Sequence, residues 1–261
     1  MRAEKLELMP ADMHTHILPR FDDGSRSSAE SVEMLKTLKS QSVSRVVITP
    51  HFYAKRDEPA EFVSHRNAAA AHLVKRIEEL PREEREALPE LYLGAEVAFF
   101  NAMSICEGLD EMCIKGTKYL LCEMPFDVWT SAMISELLSI QGKRGITPMI
   151  AHIERYFSLF KSSFLDEMIS EGMLVQSNAE AFLSIRTRGR ALKLLEAGKI
   201  HLIGSDCHNT EKRAPNIATA LEVIEKKLGK DAVNRLCENS EKVLESAEVM
   251  WSSALTEGEN D

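Results

Sequence analysis

Short apolar runs alternate with amphipathic segments of helical length along the chain, the sequence form of alternating strand and helix. The apolar runs predict seven strands, near Ala11–His14, Arg45–Thr49, Leu91–Ala95, Tyr119–Cys122, Thr147–Ala151, Met173–Gln176 and Ile200–Ile203. Helical patterns fill the gaps: Ser28–Ser42, opening with a serine cap; Glu58–Glu79, rich in alanine and charge; Ser131–Lys143; Phe157–Gly172; Glu180–Gly198; and a C-terminal run from Asn216 to Met250. Alternation sustained over this length predicts a parallel sheet. The hydrophilic connector Leu80–Glu90 reads as a solvated helix end and loop.

Length and composition narrow this picture. A chain of 261 residues with 44% hydrophobic and 28% charged positions can bury a large core, and matches the size of one α/β barrel. One domain over 1–261 is expected, with fraying at 1–10 and 252–261. The net charge of -9, with no basic stripe, argues against a nucleic-acid partner. The N-terminus builds no apolar run of the signal-peptide kind, and no later segment could span a bilayer, so a cytoplasmic protein without membrane insertion is expected. Five cysteines, at 106, 113, 122, 207 and 237, show no paired spacing and read as reduced thiols.

The chemistry lies at the strand ends, where barrel enzymes build their sites. His14 and His16 follow the first strand, and Asp22, Asp23 and Gly24 occupy its exit loop. His51 ends "VVITPH", Glu96 ends "LYLGAE", Glu123 lies in "YLLCEMP" and His152 ends "PMIAH". Asn178 follows the sixth strand, and Asp206 and His208 end "LIGSDCH" after the seventh. A single H-x-H is a weak signal, because alternate strand residues share a face without forming a site. Co-location at one rim is what points to a polynuclear metal centre. Imidazoles mixed with carboxylates, without convergent cysteines, suit manganese, iron or zinc in a catalytic role.

The pieces "DMHTHILPRFDDG", "TPH", "GAE", "CEMP", "IAHIERY" and "SDCHN" occur between about Asp12 and Ile217. Together they resemble the PHP (polymerase and histidinol phosphatase) superfamily, and within it the bacterial metal-dependent tyrosine-protein phosphatases of the CpsB/CapC type. The resemblance implies a distorted seven-stranded (β/α) barrel and a trinuclear site. His14, His16, Glu96 and Asp206 would hold one metal; Glu96 would bridge to a second, held also by Glu123 and His152; Asp23, His51 and His208 would hold the third. Arg155 and Arg213 resemble the family's phosphate-binding pair. The implied partner is a bacterial tyrosine autokinase, in control of capsule or exopolysaccharide assembly. Asp23 stands where many PHP relatives use another histidine, which favours the tyrosine-phosphatase branch. Met124 and Pro125 fall where members vary and bear on substrate preference.

Three divalent ions, manganese before iron or zinc, against the carboxylates of Asp23, Glu96, Glu123 and Asp206 leave about two positive charges, which suits a phosphate ester dianion. The expected reaction is phosphomonoester hydrolysis by metal-activated water, with the two arginines gripping phosphate oxygens and His51 or Asp206 as candidate general acid. A rival pattern, C-x5-R, runs from Cys207 to Arg213, but "CHNTEKR" lacks the glycines that let backbone amides ring a phosphate. His65 and His72 read as a helix face, His201 as structural, and Asp22 as a turn or supporting residue. The competing readings are a PHP phosphoesterase for a small molecule such as histidinol phosphate, and a non-catalytic metal-stabilised binding module.

Overall fold

A computed structural model describes residues 9–256 of the chain. Ten strands follow one another: β1 (Asp12–Thr15), β2 (Arg45–Ile48), β3 (His51–Phe52), β4 (Glu90–Leu93), β5 (Glu96–Ala98), β6 (Tyr119–Glu123), β7 (Thr147–Ile150), β8 (Leu174–Asn178), β9 (Leu202–Gly204) and β10 (Val249–Trp251). They form two ladders, β1-β2-β4-β10 and β3-β5-β6-β7-β8-β9, parallel throughout except where β10 runs antiparallel to β4. The architecture is α/β with a curled parallel sheet.

All seven expected strands are present, and two of them continue further than the apolar pattern indicates. β2 breaks at Thr49 and Pro50 and resumes as β3; β4 breaks at Gly94 and Ala95 and resumes as β5. Proline offers no N–H to a ladder. Gly94 N donates to Ile48 O (2.9 Å) and Glu96 N to Pro50 O (3.0 Å), so pairing carries across both breaks. The fully buried Arg66 donates to the Gly94 carbonyl that the break leaves unpaired (3.2 Å). These short continuations carry His51 and Glu96 out to the rim. At the other side, Asp206 N donates to His14 O (2.8 Å) and His16 N to Cys207 O (3.0 Å), tying the chain after β9 back to β1.

Three helical expectations are corrected. The helix expected over Phe157–Gly172 spans only Ser162–Ser170, after a 3-10 turn at Ile153–Tyr156. The Glu180–Gly198 run splits into Glu180–Leu183 and Arg188–Glu196, because Thr187 Oγ1 donates to Ala181 O and Ser184 Oγ accepts from Arg186 N, local bonds that compete with the helix. The Asn216–Met250 run is two helices, Ile217–Leu228 and Lys230–Leu244, broken at Gly229 (φ 85°), and its end is β10 on the open edge of β4. Elsewhere the helix signals match: Ser27 caps Ser28–Ser40, and Thr130 and Gly145 bound Ser131–Arg144. Arg82–Glu86 adds one short helix to the Leu80–Glu90 connector. Of the fraying expected at 1–10 and 252–261, residues 1–8 and 257–261 lie outside the described residues, and Ser253–Thr256 form a 3-10 turn. Among the described residues no helix is long and apolar enough to cross a membrane.

Val47, Leu121, Met149 and Leu202 belong to one buried apolar cluster. Two residues on from Leu121, on the same face of β6, stands Glu123, and two on from Leu202 stands Gly204. Gly204 lets β9 approach β1: a Cβ there would lie 2.6 Å from His14 Cβ and 2.9 Å from Gln176 Nε2. Gly204→Ala is therefore expected to cost about 1–3 kcal/mol by overpacking. Urea unfolding checks this, and unchanged stability would contradict the packing described.

Candidate metal centre

The side chains of the centre come from strand ends, from the first residues of the continuations β3 and β5, and from the loops that follow the strands. His14 lies in β1 and His16 just beyond it; the exit loop then folds back so tightly that Ser25 N donates to His16 O (3.0 Å). That return requires Gly24, where a Cβ would sit 2.1 Å from His16 O. The loop places Asp22 and Asp23 on opposite duties. Asp22 accepts from His16 Nδ1 (2.7 Å), Gly24 N (2.9 Å) and His51 N (3.1 Å), so it aims His16 and anchors the strand beside it. Asp23 is 64% exposed, with Oδ1 3.3 Å from His208 Nε2 and 3.5 Å from His51 Nε2, and marks the open side of the mouth.

Glu96 is the buried hub. Its Oε2 lies 3.0 Å from His51 Nδ1, 3.1 Å from His14 Nε2 and 3.3 Å from His16 Nε2, while Oε1 meets His152 Nε2 at 2.8 Å. Glu123 Oε1 is 3.5 Å from the same His152 nitrogen. Asp206 Oδ1 is 3.4 Å from His16 Nε2 and 3.7 Å from His14 Nε2. All nine sequence-predicted ligands thus converge. The tightest groupings are His14, His16 and Glu96; His51, Glu96 and Glu123; and His16, Asp23, His51 and His208. His16 and His51 each face two groupings, a sharing that motif order does not reveal.

Two observations fit a cation. Glu96 Oε2, His51 Nδ1 and His208 Nε2 are buried and make no hydrogen bond, although the first two are only 3.0 Å apart. Buried polar atoms are normally satisfied, so crowded acceptors that do not pair with one another suit a shared ion. The supporting bonds also aim lone pairs inward. A backbone carbonyl can only accept, so His208 Nδ1, 2.9 Å from Asp206 O, carries the proton and leaves Nε2 for the centre. Asp22 fixes His16 in the same sense.

The electrostatics agree. Burial alone would raise Glu96, but His14, His152 and His16 hold its carboxyl well below the usual range. Burial would likewise raise Asp206, which His14, His16 and Arg155 hold well below that range. Burial would depress His16, yet Asp206, Asp22 and Glu96 push it well above an ordinary imidazole. His152, opposed by burial and favoured by Glu123 and Glu96, rises to about 9. His208 falls to about 4 through burial and the nearby charge of His16, whose ring centroid is 4.0 Å away. Protons on His16 and His152 thus offset the carboxylates where no metal does so.

His152 and Asp206 adopt left-handed backbone, at φ 30° and 53°. Such conformations are costly for residues with a side chain and gather at functional sites. Arg155, one turn past His152, pairs with Asp206 Oδ2, and Arg213 Nη2 donates to Asp206 Oδ1 (2.8 Å). Both guanidiniums line a cavity of about 330 Å³ with Glu154, Asn178, Glu180 and Lys212.

The decoys separate cleanly. His65 and His72 are exposed on the helix Pro59–Glu78, and His201 accepts from Val175 N (3.1 Å). Cys207 is fully buried, and burial pushes its thiol well above its ordinary value, the opposite of an activated nucleophile. Gln176 and Asp12 were not singled out by sequence pattern. Asp12 accepts from Ser205 N (2.8 Å) and Oγ (2.6 Å), fastening β1 to the turn that bears Asp206. Only its place two residues before H-x-H could have flagged it.

The family model described as capsular polysaccharide synthesis, CpsB/CapC, matches residues 10–245. The chain belongs to the CpsB/CapC family. Within it, tyrosine-protein phosphatase YwqE of Bacillus subtilis is 31% identical over 242 residues, covering 89% of this chain and 91% of the relative. Tyrosine-protein phosphatase CpsB of Streptococcus agalactiae serotype III is 32% identical over 249 residues, covering 90% and 98%. A solved structure from work on YwqE of Bacillus subtilis and CpsB of Streptococcus pneumoniae, described as unique metal-dependent tyrosine phosphatases, superposes with a TM-score of 0.78 at 28% identity, covering 92% and 96%. Histidinol phosphate phosphatase of Lactococcus lactis shares the fold at a TM-score of 0.54 and 14% identity, covering 87% of this chain and 94% of that one.

Metal ligation requires neutral imidazoles, so manganese binding at pH 7 should release about two protons, from His16 and His152, and apparent affinity should rise with pH until about 9. Calorimetry in buffers of different ionisation enthalpy checks this. Binding without proton release would contradict the charge balance described.

Proposed function

We propose that this CpsB/CapC member is a metal-dependent protein-tyrosine phosphatase, acting in the cytoplasm on a bacterial tyrosine autokinase that controls capsule or exopolysaccharide assembly. The observation that carries the reading is the pair Arg155 and Arg213 converging on Asp206 beside crowded, unpaired ligand atoms. Phosphate-gripping side chains stand next to a cation site, which is what phosphoryl hydrolysis needs and a plain binding module does not. We read the curled sheet as a distorted seven-stranded barrel, with β2–β3 and β4–β5 each one strand and β9 meeting β1, in one metallophosphatase domain spanning the chain.

His14, His16, Asp23, His51, Glu96, Glu123, His152, Asp206 and His208 would hold three divalent ions, manganese before iron or zinc. When bound, such ions supply a water-derived nucleophile at neutral pH and offset charge on the leaving oxygen. Arg155 and Arg213 bind the non-bridging phosphate oxygens, for which a guanidinium fork is shaped, and exchange their contacts with Asp206 for contacts with substrate. Asp206, held ionised by its neighbours, has no proton to give. His51 would itself be a neutral ligand in the loaded centre, so neither candidate acid carries a proton there. The demand for one is modest, since a tyrosine leaving group has a pKa of ~10. Relatives named tyrosine phosphatases at 31–32% identity support this substrate over histidinol phosphate, whose phosphatase shares the fold alone.

Turnover of a phosphotyrosine peptide with excess manganese should fall by at least about 10²-fold in His152→Ala, vanish in chelator, and persist in Cys207→Ser, given the size of metal and charge contributions to such sites. Steady-state assays against histidinol phosphate and a phosphoserine peptide complete the test. Full activity of His152→Ala, or preference for histidinol phosphate, would overturn the proposal.

A further inference from the structure

When β2 is taken with its continuation β3, and β4 with β5, β8 alone among the described parallel strands delivers none of the nine predicted ligands to the rim. Its inward residues form a polar chain instead. Gln176, fully buried, accepts from His152 N at Oε1 (2.7 Å); the same oxygen lies 3.3 Å from His14 Nδ1. Gln176 Nε2 donates to Asn178 Oδ1 (3.0 Å), and Asn178 Nδ2 donates to Asp206 Oδ2 (2.9 Å). Glu154 anchors the far end, accepting from Asn178 N (3.2 Å) and Ser177 Oγ (3.0 Å).

The direction of this chain is forced from both ends. A backbone N–H can only donate, so the Gln176 atom facing His152 N is oxygen. An ionised carboxylate can only accept, so the Asn178 atom facing Asp206 is nitrogen. With Gln176 Oε1 an acceptor, His14 must present its Nδ1 proton there, which leaves Nε2 for Glu96 and the centre. The same oxygen bonds the amide of His152, the residue held at φ 30°, and Asn178 reaches Asp206, held at φ 53°. One side-chain chain therefore meets three separate ligands, and Gly204 provides the space for it.

We propose that Gln176 and Asn178 are positioning residues for the metal centre: Gln176 sets the tautomer of His14 and the turn at His152, and Asn178 holds the orientation of Asp206. The proposal rests on the metal reading given above. Partners of this kind are commonly worth about 10–100-fold in metal affinity.

The test compares wild-type protein with Gln176→Leu, Gln176→Glu and Asn178→Ala. Manganese dissociation constants, thermal melting of the metal-free proteins and phosphotyrosine-peptide kinetics are measured for each. Gln176→Leu should weaken manganese binding by about 10–100-fold, and Asn178→Ala by about 10-fold. Gln176→Glu keeps an oxygen for His14 Nδ1 and His152 N but loses the N–H that meets Asn178 Oδ1, and should recover part of the affinity lost in Gln176→Leu. That rescue separates positioning from packing, which a leucine and a glutamate would disturb alike. If metal-free Gln176→Leu fails to fold, the Gln176→Glu and Asn178→Ala affinities decide. Wild-type affinity in Asn178→Ala and Gln176→Leu, or equal loss in Gln176→Leu and Gln176→Glu, would overturn the inference while wild-type binding and turnover left the proposed function standing. Wild-type protein that bound no manganese would overturn both.

Discussion

Glu96 is placed where four imidazoles meet, deep enough that water cannot share the work of solvating it. A buried carboxylate is tolerated only against positive charge, and the surrounding groups supply it in a form that can be exchanged. Protons on His16 and His152 balance the site in one state, and divalent cations would in the other. Much of the architecture around it serves that exchange. Asp22, Gln176 and the Asp206 carbonyl occupy the outward nitrogens of His16, His14 and His208, so that the inward nitrogens stay free for the centre.

Holding so many polar groups together has a backbone cost. Left-handed turns at His152 and Asp206 and close approaches at Gly24 and Gly204 appear within the site itself. The strained residues are bonded from neighbouring strands, His152 by Gln176 and Asp206 by the His14 carbonyl. Strain of this kind persists where the surroundings over-determine it, and the parallel ladder supplies that determination.

The strand frame and the convergence of the candidate ligands were legible because six of the seven apolar runs lead into a histidine or a carboxylate, a pattern visible without knowing distances. The continuations β3 and β5 were not legible: Pro50 and Gly94 interrupt the apolar pattern, and only cross-strand bonds reveal that pairing goes on. The C-terminal run read as one helix because periodicity passes through Gly229, while β10 forms only because β4 leaves an edge to fill. Two supporting residues were hidden for a related reason. Gln176 and Asp12 are isolated polar positions whose meaning depends on partners far away in sequence, up to 193 residues in the case of Asp12 and Ser205, whereas Asp22 and Asn178 were visible beside the ligands and only their bonds were not. How His16 and His51 serve two groupings each is likewise geometric.

The central claim, that this mouth of imidazoles and carboxylates holds divalent cations as its working centre, is tested most directly by anomalous X-ray diffraction at the manganese edge from crystals grown with manganese. The account predicts three anomalous peaks among Glu96, Asp206 and the five inward histidines, with Glu96 shared between two of them. Density with no anomalous signal in the mouth, or peaks only at surface carboxylates elsewhere, would contradict it.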